Sequence, residues 1–263
     1  MLVAIDVGNT QTVIGVFAPG DGPAGSGPSL LYHWRIATVA SRTADELALL
    51  LDQLFQLRGL EVDEVVTGIA VASVVPRQRT ALREMTERWF KVESVIVEPG
   101  VRTGMPIIYE NPKEVGADRI ADAVAAYEKF GGPTIVVDFG TATTFEVVSA
   151  KGEYLGGVIL PGIEISLEAL FARAALLPRV ELVEPRSVLP KNTVESIQSG
   201  VIFGFAAQVD GLCRRLDVEV GPSTVVATGG LAGLIGPYSA AIQHHEPWLT
   251  LEGLRIIYGR NVR

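Results

Sequence analysis

Asp6-Val7-Gly8-Asn9-Thr10-Gln11-Thr12 closes the first apolar run of the chain and carries the strongest indication of its architecture. Leu2 to Val7 has the composition of a short buried strand, Gly8-Asn9-Thr10 is a turn signal, and Thr12 to Ala18 reads as the hairpin partner. The result is a carboxylate at a strand end among small polar residues. Gly8 lets the backbone approach a phosphate, the turn amides can point at its oxygens, and the Thr10 and Thr12 hydroxyls add donors. Asp6 is placed to hold Mg2+ directly or through water. An ordinary hairpin with an Asx turn at Asp6 accounts for the same residues, so a second occurrence carries weight.

That second occurrence is Asp138-Phe139-Gly140-Thr141-Ala142. Thr134 to Val137 is an apolar strand, Asp138 to Thr141 a tight polar turn, Thr144 to Ser149 a second strand and Tyr154 to Leu160 a third. In the first half the matching third strand is Leu31 to Ala37. A capping-box pattern at Thr43 to Glu46 then opens a helix with Leu47, Leu50, Leu51, Leu54 and Leu57 at helical spacing. Val65 to Ala72 reads as a buried strand, Pro76 as the start of a polar helix to Phe90, and Ser94 to Val97 as a strand. In the second half helices are expected at about 164–177 and 193–217 and over Thr250 to Tyr258, with a strand at Thr224 to Ala227. Gly131-Gly132-Pro133 breaks a helix running from about Gly116 to Phe130. The prediction is an α/β protein of two duplicated lobes, 1–131 and 132–263, each a mixed sheet flanked by helices.

Composition narrows the function. The 263 residues are 48% hydrophobic and 20% charged, enough to bury a core, and the net charge of −8 without any basic run argues against a nucleic-acid partner. The acid at position 6 is unlike a secretion signal, and there is no apolar run of about 18 residues that would span a membrane. One cysteine, Cys213, expected inside a helix, fits a reducing compartment, so the expectation is a soluble cytoplasmic protein. The absence of Gly-x-x-x-x-Gly-Lys-Ser/Thr excludes a P-loop kinase, and the Pro/Gly stretch 19–28 is expected to be a linker that binds no ligand. His244-His245, at adjacent positions expected in a helix, does not share a face and reads as no metal site. Trp34, Trp89 and Trp248 read as core or packing residues, and Arg77, Arg79, Arg83 and Arg88 alternate with Glu84 and Glu87 as a solvated face, with phosphate recognition by that face as the alternative reading.

Val115-Gly116-Ala117-Asp118-Arg119 opens the helix that ends the first half. A carboxylate in a first helical turn is favoured by the dipole alone. This one stands beside an arginine, after a Pro-rich loop, where a cleft between lobes is expected. A kinase acting on an alcohol needs a base near the attacking oxygen, and Asp118 suits that role while Arg119 suits a carboxylate clamp.

Taken in order, Asp6-Val7-Gly8-Asn9-Thr10, Tyr109-Glu110-Asn111-Pro112, Gly116-Ala117-Asp118-Arg119, Asp138 to Thr143 and Gly157 to Gly162 resemble the motif set of type III pantothenate kinases. Lys191 to Ser196 and Ala227-Thr228-Gly229-Gly230 extend the likeness to nearly the whole chain. The resemblance implies an actin-like (ribonuclease H-like) fold and ATP-dependent phosphorylation of pantothenate to 4'-phosphopantothenate, the first step of coenzyme A biosynthesis. It implies that Asp6, Val7, Gly8, Asn9, Thr10, Gln11, Thr12, Val13 and Thr141 bind ATP. Asp118 is implied as proton acceptor, and Tyr109, Gly116, Ala117, Asp118, Arg119 and Thr193 as pantothenate contacts. The residues alone would assign Asp138 to Mg2+; the resemblance implies a monovalent cation there, K+ or NH4+, with Mg2+ accompanying ATP. It also implies a homodimer. Two alternatives share the Asp6 and Asp138 turns: another small-molecule kinase or phosphatase of this fold, and a noncatalytic accessory factor for transcription.

Overall fold

The computed structural model describes residues 1–20 and 28–262. Most of the 19–28 linker therefore lies outside the described residues. The chain forms two compact units, Met1–Met105 with Glu110–Ala125 and Thr250–Arg263, and Pro106–Tyr109 with Ala126–Leu249.

In the first unit β1 (Leu2–Val7), β2 (Gln11–Phe17) and β3 (Leu30–Ala37) form an antiparallel meander. After α1 (Ala44–Gln56) and the single turn α2 (Val62–Val65), β4 (Gly68–Ser73) joins β1 in parallel. Helix α3 (Pro76–Met85) leads to β5 (Glu93–Ile96), and the sheet order is β3-β2-β1-β4-β5. The expected capping box is formed: Glu46 N donates to Thr43 Oγ1 at 3.3 Å and Thr43 N to Glu46 Oε2 at 2.8 Å, a cap worth about 1 kcal/mol. It fixes the start of a helix that buries Ala44, Ala48, Leu51 and Phe55 against Val3, Ile5, Val7 and Ile14 of the sheet.

Alternation sends Ala4 and Asp6 to the other face. That face is lined with small residues because a helix lies on it. Gly15, paired with Ala4, and Gly68 leave room for Leu251 and Tyr258 of α8 (Leu249–Asn261), the last helix of the chain. Gly253 of α8 in turn approaches the carbonyl of Ala121 so closely that a Cβ there would stand 1.9 Å from its oxygen.

The second unit repeats the plan. Following α4 (Ala117–Phe130) come β6 (Thr134–Phe139), β7 (Ala142–Val148), β8 (Tyr154–Pro161), α5 (Ile163–Arg173), α6 (Thr193–Val220), β9 (Thr224–Thr228), the short α7 (Ala232–Ile235) and β10 (His244–His245). Its sheet order, β8-β7-β6-β9-β10, is the first order with each strand replaced by its counterpart. Ile135, Val137, Phe139, Phe145 and Val147 pack on Ile163, Leu167, Ile202, Phe205 and Val209 from α5 and α6. Cys213 of α6 is buried, and desolvation pushes its thiol up to about 12.

Several expectations are corrected. A boundary at 131/132 would place the C-terminal helix in the second lobe, whereas packing of Leu251, Gly253 and Tyr258 brings it to the first unit. Residues 106–109 group with the second unit, because Tyr154 N donates to Pro106 O at 2.9 Å and Ile108 N to Tyr154 O at 2.8 Å. Helix α5 stops at Arg173 rather than near 177, with Ala174 already extended. The helix from Pro76 changes at Met85 to a π turn over Thr86–Phe90. His244-His245 is a parallel edge strand beside β9, not a helix, and its adjacent side chains still point to opposite faces. Trp89 is 48% exposed, its indole donating to Asp45 at 2.8 Å, so it is no core residue.

Candidate active site

Asp6 is the fifth residue of β1, opposite Val13 of β2 and beside Ala72 of β4, and it is half-buried at the end of a buried strand. Beyond Val7 the chain turns with Gly8 N bonded to Gln11 O at 3.0 Å, leaving Asn9, Thr10 and Gln11 exposed. The turn is braced by a segment absent from the motif. Thr12 Oγ1 and Thr38 Oγ1 are 2.8 Å apart, and Thr38 N donates to Thr10 O at 3.0 Å. Buried Gln78 fixes that segment, its amide donating to Val39 O at 2.9 Å and Arg42 O at 3.3 Å. Arg35 reaches Gln11 Oε1 at 3.0 Å.

Asp118 occupies the first turn of α4 with its carboxylate folded back on the helix start. Its Oδ1 accepts from Arg119 N at 2.8 Å, and a Cβ on Gly116 would stand 2.4 Å from the same oxygen. The glycine of Gly116-Ala117-Asp118-Arg119 is thus required by the position of the acid. Desolvation by burial raises the Asp118 pKa above the usual carboxylate range, against the opposing pull of the Arg119 amide and the Arg119 charge. A carboxylate raised in this way is a better proton acceptor than an exposed one.

In the second unit Asp138 repeats the position of Asp6: fifth in β6, opposite Thr144 and beside Thr228 of β9. Gly140 N bonds Ala142 O at 3.1 Å, and Thr141 is exposed on the turn. Here the packing is by backbone. Gly229, at φ +91°, lies so close that a Cβ would be 2.2 Å from Asp138 Oδ1, and one on Gly162 would be 2.2 Å from Thr141 O.

Tyr109 is 38% exposed and stands edge-on to fully buried Tyr154, with ring centroids 6.4 Å apart at 60°. Thr193 is the exposed first residue of α6. The turn before it is ordered by Asn192, which accepts from Glu195 N at 2.9 Å and donates to Glu195 Oε2 at 2.8 Å, and by Arg186 on Glu195 Oε1 at 2.5 Å.

The sequence-derived residues therefore fall into two sets. Asp6 to Val13 and Gly116 to Arg119 belong to the first unit; Tyr109, Asp138, Thr141 and Thr193 belong to the second. Sequence reading missed Thr38, Gln78 and Tyr154, whose partners lie far along the chain. It noted Gly162 and Gly229 only as parts of motifs, without the close approaches that require them.

Two matched βββαβ-type sheets, each presenting an acid at the end of its first strand, define an α/β protein of actin-like fold. A Sinorhizobium meliloti protein described as a 2-dehydro-3-deoxygalactonokinase superposes over 100% of this chain and 96% of its own with a TM-score of 0.57 at 13% identity. A Campylobacter jejuni protein described as a Baf family transcriptional activator covers 98% of each chain with a TM-score of 0.57 at 19% identity. Both likenesses concern the fold alone. The type III pantothenate kinase family profile matches residues 2–215. A Streptomyces griseus protein of that description is 55% identical over 100% of this chain and 99% of its own. The chain belongs to the type III pantothenate kinase family.

Proposed function

We propose that the chain transfers the γ-phosphoryl group of ATP to the primary hydroxyl of pantothenate, giving 4'-phosphopantothenate at the first step of coenzyme A biosynthesis. The observation that carries this reading is the 55% identity over the whole chain to a protein described as a type III pantothenate kinase. Asp6, Asp118, Asp138 and Thr141 are all present in this chain.

In this reading the Asp6–Val13 turn and Thr141 hold the nucleotide. Amides of Gly8, Asn9 and Thr10 and the hydroxyls of Thr10 and Thr12 address phosphate oxygens, with the Thr12 hydroxyl oriented by Thr38. Tyr109, Gly116, Ala117 and Thr193 bind the acceptor, and the Arg119 guanidinium takes its carboxylate. Asp118 accepts the proton of the primary hydroxyl as that oxygen bonds to the γ-phosphorus; the bond to the β–γ bridging oxygen breaks and ADP leaves with its electron pair. Positioning and charge neutralisation supply most of the remaining rate.

The residues fit the two cations. Asp6, a single carboxylate at the end of β1 beside the phosphate turn, suits Mg2+ that is held mainly by substrate phosphates and water. Asp138 offers one carboxylate closely packed by Gly140 and Gly229, which would serve K+ or NH4+ as one of its several oxygen donors. Bound there, the cations would neutralise phosphate charge. The protein acts as a cytoplasmic homodimer without nucleic acid: Leu176, Val188 and Leu189, leading to Thr193, are 95, 70 and 85% exposed and suit burial against a second copy. No helix of the described residues is long and apolar enough to cross a membrane.

The test is ADP release from MgATP with and without pantothenate, in K+ and in Na+ buffer. Pantothenate-dependent release that needs K+ or NH4+ is expected. Release independent of pantothenate, or none at all, overturns the substrate assignment, and equal rates in Na+ overturn the cation assignment.

A further inference from the structure

We infer that Arg79 binds a phosphate of the nucleotide held at the Asp6–Val13 turn, an inference that rests on the kinase reading above. Helix α3 begins immediately beyond β4, whose last residue, Ser73, stands beside Val7 in the parallel pair of β1 and β4. Val74 N donates to Val7 O at 3.1 Å, which carries the pairing up to the edge of Gly8. The start of α3 and the phosphate turn are therefore neighbours at the carboxyl end of one sheet.

The arginines of this region differ in what they face. Arg83 places Nη2 at 3.0 Å from both oxygens of Glu98, and Arg88 reaches Glu84 at 3.0 Å and Asp45 at 3.4 Å. Both are surface pairs. Arg79, half-buried, turns back towards the sheet instead. Its Nη2 makes a long 3.4 Å bond to the Ser73 carbonyl, and its Nε is buried without a hydrogen-bond partner among the described residues. No acid among the described residues pairs with it.

A guanidinium cannot shed its proton, so a buried unsatisfied Nε carries a desolvation penalty that an anion would offset. Its planar fork matches two oxygens of a phosphate. The first-turn amides of α3 add partial positive charge at the same place. Of the two sequence readings of this arginine face, solvated or phosphate-recognising, the second is thereby confined to Arg79.

Calorimetric titration of the full chain with MgATP, without pantothenate, tests this. Arg79→Gln is expected to weaken MgATP binding about tenfold or more, the loss of a charge-assisted hydrogen bond. Arg79→Lys should fall between, because it keeps the charge and loses the fork. Arg83→Gln should match wild type. In turnover, the KM for pantothenate should stay within about twofold, and added guanidinium ion should restore part of the activity of Arg79→Ala. Wild-type MgATP affinity in Arg79→Gln overturns the inference. So does a lowered melting temperature with both substrates weakened alike and Lys no better than Gln, which would make Arg79 a brace for Ser73. Wild-type protein that binds no MgATP sinks both this inference and the kinase reading. If wild type binds MgATP and Arg79→Gln does not, yet pantothenate yields no ADP, the kinase reading fails and the Arg79 site stands.

Discussion

At the first turn Thr12 lies opposite Val7 and its hydroxyl is 2.8 Å from that of Thr38; at the second, Thr143 lies opposite Phe139, and its Oγ1 is buried with no hydrogen-bond partner among the described residues. The turns run through residues 8–11 and 140–142, so the first is one residue longer. A Cβ on Gly8 would meet Gln11 O at 3.1 Å, a contact a small shift can relieve, whereas one on Gly162 would meet Thr141 O at 2.2 Å. The same position of an acid, fifth in its strand, has been stabilised in two ways. Side chains returning from residues 38 and 78 brace the Asp6 turn, while backbone without side chains wedges the Asp138 turn. A duplicated sheet thus preserves the position of an acid without preserving what holds it.

The largest expected effect lies outside both turns and separates chemistry from turn architecture. Asp118→Asn should lower turnover by about 10²–10⁴ while MgATP binding holds and the fold is no less stable than wild type; near-normal turnover would remove Asp118 from the role of base. Next, Gly162→Ala should destabilise by about 1–3 kcal/mol through forced backbone movement, and Gly8→Ala by about 0.5 kcal/mol or less. Equal losses in denaturant titration would erase the contrast between a wedged and a braced turn.

The hydroxyls sharpen it further. Thr12→Val strands the Thr38 hydroxyl and should cost about 1 kcal/mol. Thr143→Val removes an unsatisfied buried group and should be neutral or stabilising. A stability loss on Thr143→Val as large as that on Thr12→Val would show that the second turn has an unrecognised brace.

The smallest effect concerns pH. Native Asp118 binds its proton more tightly than the unfolded chain does, because burial raises its pKa. Stability from this group is therefore fully present below the unfolded aspartate value, falls as pH rises through the raised native value, and is level above it. Relative to wild type, Asp118→Asn should gain stability over that window and keep the gain at neutral pH. The acid limb of kcat/KM should lie above the ordinary carboxylate range and be absent from the residual activity of Asp118→Asn.

Much of this was legible locally. Leu2 to Val7 with Gly8-Asn9-Thr10 specifies a strand and a turn whatever surrounds them, and Thr43 to Glu46 caps its helix through bonds three residues apart. Asp118 could be singled out because Gly116 and Arg119, which shape it, are its near neighbours. Thr38 carries no such signal: its partner is 26 residues away. Nothing in Pro106 to Tyr109 announces pairing with Tyr154, and Arg79 in the sequence is one arginine among several.

The duplicated strand–turn–strand plan, the acids at positions 6, 118 and 138 and the family likeness all follow from the residues in order, because strand period, turn chemistry and motif order are short-range properties. Tertiary structure alone decided that α8 belongs with the first sheet, that Tyr109 belongs with the second, and that Thr12 is braced where Thr143 is not. It also decided that Arg79 turns to the Ser73 carbonyl with its Nε unsatisfied among the described residues. Those outcomes depend on which distant segments return to one place, and burial, desolvation and hydrogen-bond partnership exist only once they have.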